Sequence, residues 1–230
     1  MRRISLLTLT TIAVIASALF TWATYSGLLR DVDASVAEWA MSLGWLSPLM
    51  VFISASASIQ AIAVYYLVIL VLDIYLDRGV EGKTILLGAG LVLVSILVLA
   101  IKAALQIPRP RLPGTIPDAI GLGVVNPDFF AYPSGHVSRA TVLASLLPLF
   151  FRERLRKGSS AALWIWVFLT SLSRIILGCH WFSDVIGGFL FGITTSLIIF
   201  AYKEDLLKVY RKVLERFRHF RLKEENVELN

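Results

Sequence analysis

Residues 173–184 read Ser-Arg-Ile-Ile-Leu-Gly-Cys-His-Trp-Phe-Ser-Asp, placing Arg174, His180 and Asp184 among mostly apolar neighbours. His180 and Asp184 are four residues apart. If the segment is helical, that spacing stacks the two side chains on one face. An aspartate there accepts a hydrogen bond from one ring nitrogen and leaves the other basic, fit to act as base or nucleophile. Arg174 adds a fixed positive charge whose planar fork suits an oxyanion such as phosphate.

Two more clusters carry the same chemistry. Lys102 is followed by Arg109-Pro110, and Pro133-Ser134-Gly135-His136 precedes a second apolar run. Lys102, Arg109 and Arg174 supply three cations, matched to a phosphoryl group and its transition state. Ser134 and Gly135 fall where a helix begins, so their backbone N–H groups are placed to bind phosphate oxygens. The two histidines divide the work. His180, oriented by Asp184, attacks phosphorus, while His136 protonates the leaving oxygen and then activates water.

The surrounding composition says what must position these groups. Apolar residues make up 57% of the 230 positions and charged residues 17%, with mean hydropathy +0.75. A soluble domain of this size carries nearer a quarter charged residues. Uncharged or nearly uncharged runs cover residues 4–29, 40–72, 84–101, 159–173 and 185–202. A helix needs about 20 residues to cross the hydrocarbon. Residues 140–151 form a shorter run that reaches spanning length if it starts near Ser134. The expectation is an all-α membrane protein with six spans in one domain, residues 1–202, followed by a basic cytoplasmic tail, 203–230. The first run is too long for a secretory signal, and a single cysteine, Cys179, excludes an internal disulfide.

The net charge of +6 does not point to nucleic acid. Sixteen of the 22 Lys and Arg fall at the termini and in the turns near residues 73–83 and 152–157. Positive charge gathers on the cytoplasmic side, so both termini are expected inside a multi-pass plasma-membrane protein. All three clusters then lie at the outer face. Ionisable groups at the ends of spans default to functional roles, and one shared face argues for one site.

Between these elements, residues 27–47 are expected as an outer connection with Asp31, Asp33 and Glu38. Ser54, Ser56 and Ser58 in the second span, about 48–72, read as close-packing residues, as do Gly187, Gly188 and Gly192 in the sixth. Residues 106–133 hold six of the eight prolines, and a long irregular stretch of this kind reads as a lid or entry rim. Residues 203–223 fit an amphipathic helix on anionic lipid, or a solvated tail. Arg111 and Arg139 are open between phosphate binding and interface anchoring. A serine-hydrolase reading of Ser134 leaves three cations unused. A cysteine-phosphatase loop needs an arginine six residues after Cys179, where Val185 stands. No His-x3-His zinc spacing occurs, and few acidic residues accompany the clusters, so no metal or other cofactor is expected.

The three parts, Lys102-x6-Arg109-Pro110, Pro133-Ser134-Gly135-His136 and Ser173-Arg174-x5-His180-x3-Asp184, together resemble the full signature of the type-2 phosphatidic acid phosphatase family. The resemblance implies a metal-independent membrane phosphatase acting on lipid phosphates or diphosphates. It assigns Lys102, Arg109, Ser134, Gly135 and Arg174 to phosphate, His136 to acid catalysis, His180 to the nucleophile and Asp184 to its partner. The favoured substrate is a polyprenyl diphosphate such as undecaprenyl or dolichyl diphosphate. Phosphatidate or phosphatidylglycerophosphate is the alternative, and a silent lipid-phosphate-binding scaffold is a second. The expected partners are the lipid substrate and membrane lipids, with no nucleic acid.

Overall fold

The computed structural model describes residues 3–77, 79–110 and 129–216. Arg111 and the central part of the proline-rich rim, and the tail beyond Arg216, lie outside the described residues. In apolar surroundings every backbone polar group must be satisfied within the chain, which selects helices. The described residues form nine: α1 (Arg3–Tyr25), α2 (Arg30–Ser42), α3 (Ser47–Ser56), α4 (Ile59–Asp77), α5 (Gly82–Leu105), α6 (Gly135–Phe150), α7 (Ser159–Ile176), α8 (Phe182–Ala201) and α9 (Lys203–Arg216).

Among the described residues, five helices are long and apolar enough to cross a membrane: α1, α4, α5, α7 and α8. The pair α2 and α3, bent by 65° around a short 3-10 turn at Gly44–Leu46, passes the same measure of length and composition. Ala40 and Met50 both cluster with Ile176 and Val185, however, so the pair turns back at one end of the bundle. The expected fourth span is α6. Its 16 residues rise about 24 Å, short for lipid, yet α6 runs between the two ends of the bundle. It is enclosed by α5, α7 and α8, so protein rather than hydrocarbon surrounds it.

Close packing around α6 depends on small residues. A Cβ at Gly188 would stand 2.6 Å from the carbonyl oxygen of Ser134, and one at Gly192 would meet Thr141 at 2.5 Å. Only glycine lets α8 approach α6 this closely, as the spacing of Gly187, Gly188 and Gly192 suggested.

Two expectations are corrected. The second span is not one helix over residues 48–72. It breaks at Ala57-Ser58 into α3 and α4, and Ser58 Oγ accepts the Ala61 N–H at 3.2 Å in place of a backbone partner. The outer connection 27–47 is mostly helical, as α2, with Val36, Ala37 and Ala40 turned inward.

The bundle has two distinct ends. At one, Asp73 accepts hydrogen bonds from Thr84 Oγ1, the Glu81 N–H at 3.3 Å and Arg154 Nη1 at 2.8 Å. This joins α4, α5 and the turn after α6. Leu207 of α9 joins Leu86, Leu87 and Phe151 in one buried apolar cluster here. At the other end Ala40, Met50, Val137, Ile175, Ile176 and Val185 form an apolar floor. The chemistry-bearing residues stand above it.

Candidate active site

The side chains of the site are delivered by helix ends and by the short segments that join them. Lys102 sits in the last turn of α5, which stops at Gln106 in the left-handed conformation, φ 50°. Its ammonium is buried and donates to the carbonyl oxygen of Phe130. Arg109 follows in the extended segment, with Nε donating to Phe129 O at 3.0 Å. Ala131 N–H donates to Ile107 O at 2.8 Å, so residues 107–109 and 129–131 run side by side. Both cations are thus held by the chain that leads directly into Pro133-Ser134-Gly135-His136.

Ser134 caps α6, and Gly135 and His136 open it. The sequence assigned both Ser134 and Gly135 N–H groups to phosphate. The Ser134 N–H instead donates to the carbonyl oxygen of Asp184 at 2.9 Å. What Ser134 offers is its hydroxyl, which is buried with no hydrogen-bond partner among the described residues. The Gly135 N–H, at the first position of a helix, has no intrahelical acceptor. Arg139, one turn on, folds back so that its Nη1 lies 3.1 Å from where a Gly135 Cβ would stand. That places Arg139 beside the first turn of α6.

Arg174 lies in the last turn of α7, buried, with Nη1 donating to Ser54 Oγ of α3. Ser54 was expected to serve only helix packing. It instead supports the guanidinium, while Ser56 accepts from Trp166 Nε1 at 2.8 Å. After α7 the chain turns at Gly178, φ 64°, a common way to end a helix. The Cys179 and His180 N–H groups both donate to Arg174 O, at 3.1 and 3.2 Å.

His180 therefore lies in a turn between α7 and α8, not on a helical face with Asp184. The two meet because Asp184 is in the first turn of α8, where its carboxylate reaches back over the helix start. Oδ2 accepts the Trp181 N–H at 2.7 Å and lies 3.3 Å from His180 Nδ1. With Nδ1 turned to Asp184, Nε2 is the atom left for chemistry. Trp181 also ties its Nε1 to Pro108 O at 2.8 Å.

The electrostatics follow from this convergence. His180 is almost wholly buried, and burial first, then the charges of Arg174, Arg109, Lys102 and His136, push its ring well below the usual 6.5. Both effects favour the neutral ring, whose free nitrogen is a nucleophile. The eight residues expected at the site are all at this end of the bundle. Asp33 of α2 is an addition that sequence reasoning passed over. Its carboxylate binds Ser183 through N–H at 2.8 Å and Oγ at 2.6 Å. The signal was present: Asp33, Val36 and Ala40 share one helical face, and an acid on an inward apolar face needs a partner.

Known proteins resemble this chain in sequence and in fold. The chain is 26% identical over 102 residues to phosphatidylglycerophosphatase B of Bacillus subtilis (strain 168), covering 38% of this chain and 50% of that protein. The match therefore spans about half the length of that relative. Among solved structures, a transmembrane PAP2-type phosphatidylglycerolphosphate phosphatase from Bacillus subtilis superposes with a TM-score of 0.68 at 18% identity, covering 91% of this chain and 98% of the other. That likeness shows the fold. Aquifex aeolicus LpxE gives a TM-score of 0.49 at 26% identity, over 69% of this chain and 87% of that one. Residues 83–208, from the start of α5 into α9, match the PAP2 superfamily. That stretch is more than half of the chain and holds every residue expected at the site, so the chain belongs to the PAP2 superfamily.

Proposed function

We propose that this protein is a membrane lipid phosphatase that releases inorganic phosphate through a phosphohistidine at His180. The observation that carries the reading is the meeting of a neutral, Asp184-oriented His180 with Lys102, Arg109 and Arg174 at one end of the bundle. In the first step His180 Nε2 bonds to phosphorus as the bond from phosphorus to the lipid oxygen breaks. His136 gives that oxygen its proton, so the lipid alcohol leaves neutral. Asp184 stabilises the positive charge growing on the His180 ring. In the second step water attacks phosphorus, its proton passes to His136, and the P–N bond breaks. Phosphate leaves and both histidines return to their starting state.

The three cations, the Ser134 hydroxyl and the Gly135 N–H together answer the charge of the phosphoryl oxygens. The substrate placed first is a glycerophospholipid phosphate of the phosphatidylglycerophosphate type. It is favoured by the name of the curated relative, whereas the polyprenyl diphosphate favoured from the sequence has no comparable support. The charge bias of the turns and termini supports a site on the outer face of the membrane.

The test is phosphate release by detergent-purified protein in excess chelator, with phosphatidylglycerophosphate and a polyprenyl diphosphate offered side by side. Release from the first, lost in His180→Ala, is expected. Preference for the diphosphate would overturn the substrate assignment, and no release from either would overturn the function.

A further inference from the structure

Asp33 lies far from the signature in sequence but is fastened to it in space. Of the three acids on α2, Asp31 and Glu38 are exposed and Asp33 is buried. Both of its carboxylate oxygens are used on one residue, Ser183: Oδ1 accepts the N–H at 2.8 Å and Oδ2 accepts the hydroxyl at 2.6 Å. Ser183 adjoins Asp184 and stands three residues after His180. A carboxylate at this point also meets the positive end of α8.

The turn that carries His180 hangs between α7 and α8, and its geometry relative to Asp184 depends on the first turn of α8. Three contacts from outside fix that turn. The Ser134 N–H holds Asp184 O, Pro108 O holds Trp181 Nε1, and Asp33 holds Ser183. The first is a main-chain bond and the second ends on a half-buried indole. Asp33 provides the one clamp of the three built from two hydrogen bonds to a single residue, and it brings in α2, an element that holds none of the signature residues.

The geometry points to Asp33 as a positioning residue for the nucleophile: by holding Ser183 it fixes the first turn of α8 and so the Asp184 carboxylate that orients His180. This rests on the phosphatase reading given above. The hydrogen bonds of Asp33 go to Ser183 and to none of the three cations, so its loss is expected to act on the alignment of His180 and to spare phosphate binding.

The experiment compares Asp33→Ala, Asp33→Asn and Ser183→Ala in the full-length detergent-solubilised protein, using a short-chain soluble phosphate ester. Asn keeps an acceptor for the Ser183 N–H and a donor for its hydroxyl. Asp33→Ala is expected to lower kcat about 10- to 100-fold, the scale of a small misplacement of a reacting group. The inhibition constant of inorganic phosphate should change less than about threefold, since transition-state and ground-state binding separate here. Asp33→Asn should keep at least about a fifth of kcat, and adding Ser183→Ala to Asp33→Ala should cost little more, as for two partners of one contact.

An Asp33→Ala enzyme within about twofold of wild-type kcat would overturn the proposal. So would phosphate binding that weakens in step with kcat, or an Asn variant as impaired as Ala. If the wild type itself releases no phosphate, the function reading falls on its own. The clamp is then read from the His180 ring 15N resonances in wild type and Asp33→Asn or Asp33→Ala. A shift in Asp33→Ala larger than in Asp33→Asn supports it, and identical spectra in all three contradict it.

Discussion

The main-chain N–H of Ser134 donates to the main-chain carbonyl of Asp184 at 2.9 Å. This one bond ties the start of α6, which carries His136, to the start of α8, which carries the partner of His180. The proposed acid and the proposed nucleophile are therefore linked by a backbone junction that no side-chain substitution can remove directly. What can disturb it is volume. Gly188 lies directly beneath, and a methyl group there would sit 2.6 Å from Ser134 O.

Gly188→Ala is accordingly expected to lower stability by about 1–3 kcal/mol, the usual cost of forcing atoms into a packed contact. Activity per folded molecule should fall as well, because Ser134 must move. Gly44, where a Cβ would meet nothing within 4 Å, is the control; Gly44→Ala should stay within about 0.5 kcal/mol. Thermal unfolding in detergent, read beside turnover, checks both.

Burial and the nearby cations hold the His180 ring well below 6.5. The unfolded chain binds a proton at this histidine near pH 6.5 while the folded chain does not. Stability from this group is thus present above that pH and is lost as the pH falls below it. In ring-labelled protein the His180 15N signals should remain those of a neutral imidazole at pH 6. Adding inorganic phosphate should move the titration upward, because the anion offsets Arg174, Arg109 and Lys102. A ring already charged at pH 7 without phosphate would contradict the assignment.

Asp184→Asn keeps the shape of the side chain but removes the charge that, in the proposed mechanism, stabilises the His180 ring. By analogy with other aspartate–histidine pairs, kcat should fall roughly 10³–10⁴-fold. The inhibition constant of phosphate should change far less. Unchanged kinetics would make Asp184 a helix cap for Trp181 and nothing more.

At the opposite end, Arg154 joins Asp73 to Glu81. Arg154→Ala leaves the Asp73 carboxylate fully buried with only Thr84 and the Glu81 N–H as partners. A loss of about 1–3 kcal/mol is expected, as for a buried polar group short of one partner. Turnover per folded molecule should be retained, since the site lies at the other end of the bundle. A catalytic loss larger than the loss of folded protein would show coupling between the ends.

The site was legible in the sequence because its residue types are costly in an apolar chain. Lys102, Arg109, His136, Arg174, His180 and Asp184 had no comfortable alternative placement, and a shared membrane face followed from the charge bias of the turns. What escaped were features set by tertiary contact. The break at Ala57-Ser58 was hidden because serines at helical spacing read as packing residues, although Ser54 supports Arg174. The His180–Asp184 pair suggested a helical face, but Gly178 ends α7 before it. Asp33 was hidden by distance, since its partner Ser183 is 150 residues away.

The central claim is a covalent bond between phosphorus and His180. The direct measurement is rapid mixing of the purified protein with phosphatidylglycerophosphate carrying ³²P in its terminal phosphate. The mixture, in excess chelator, is quenched in alkali, and the labelled peptide is then located. The account predicts acid-labile, alkali-stable label on His180 in wild type, formed before phosphate is released and absent in His180→Ala. Steady release of phosphate with no label on His180, or release that survives in His180→Ala, would contradict it.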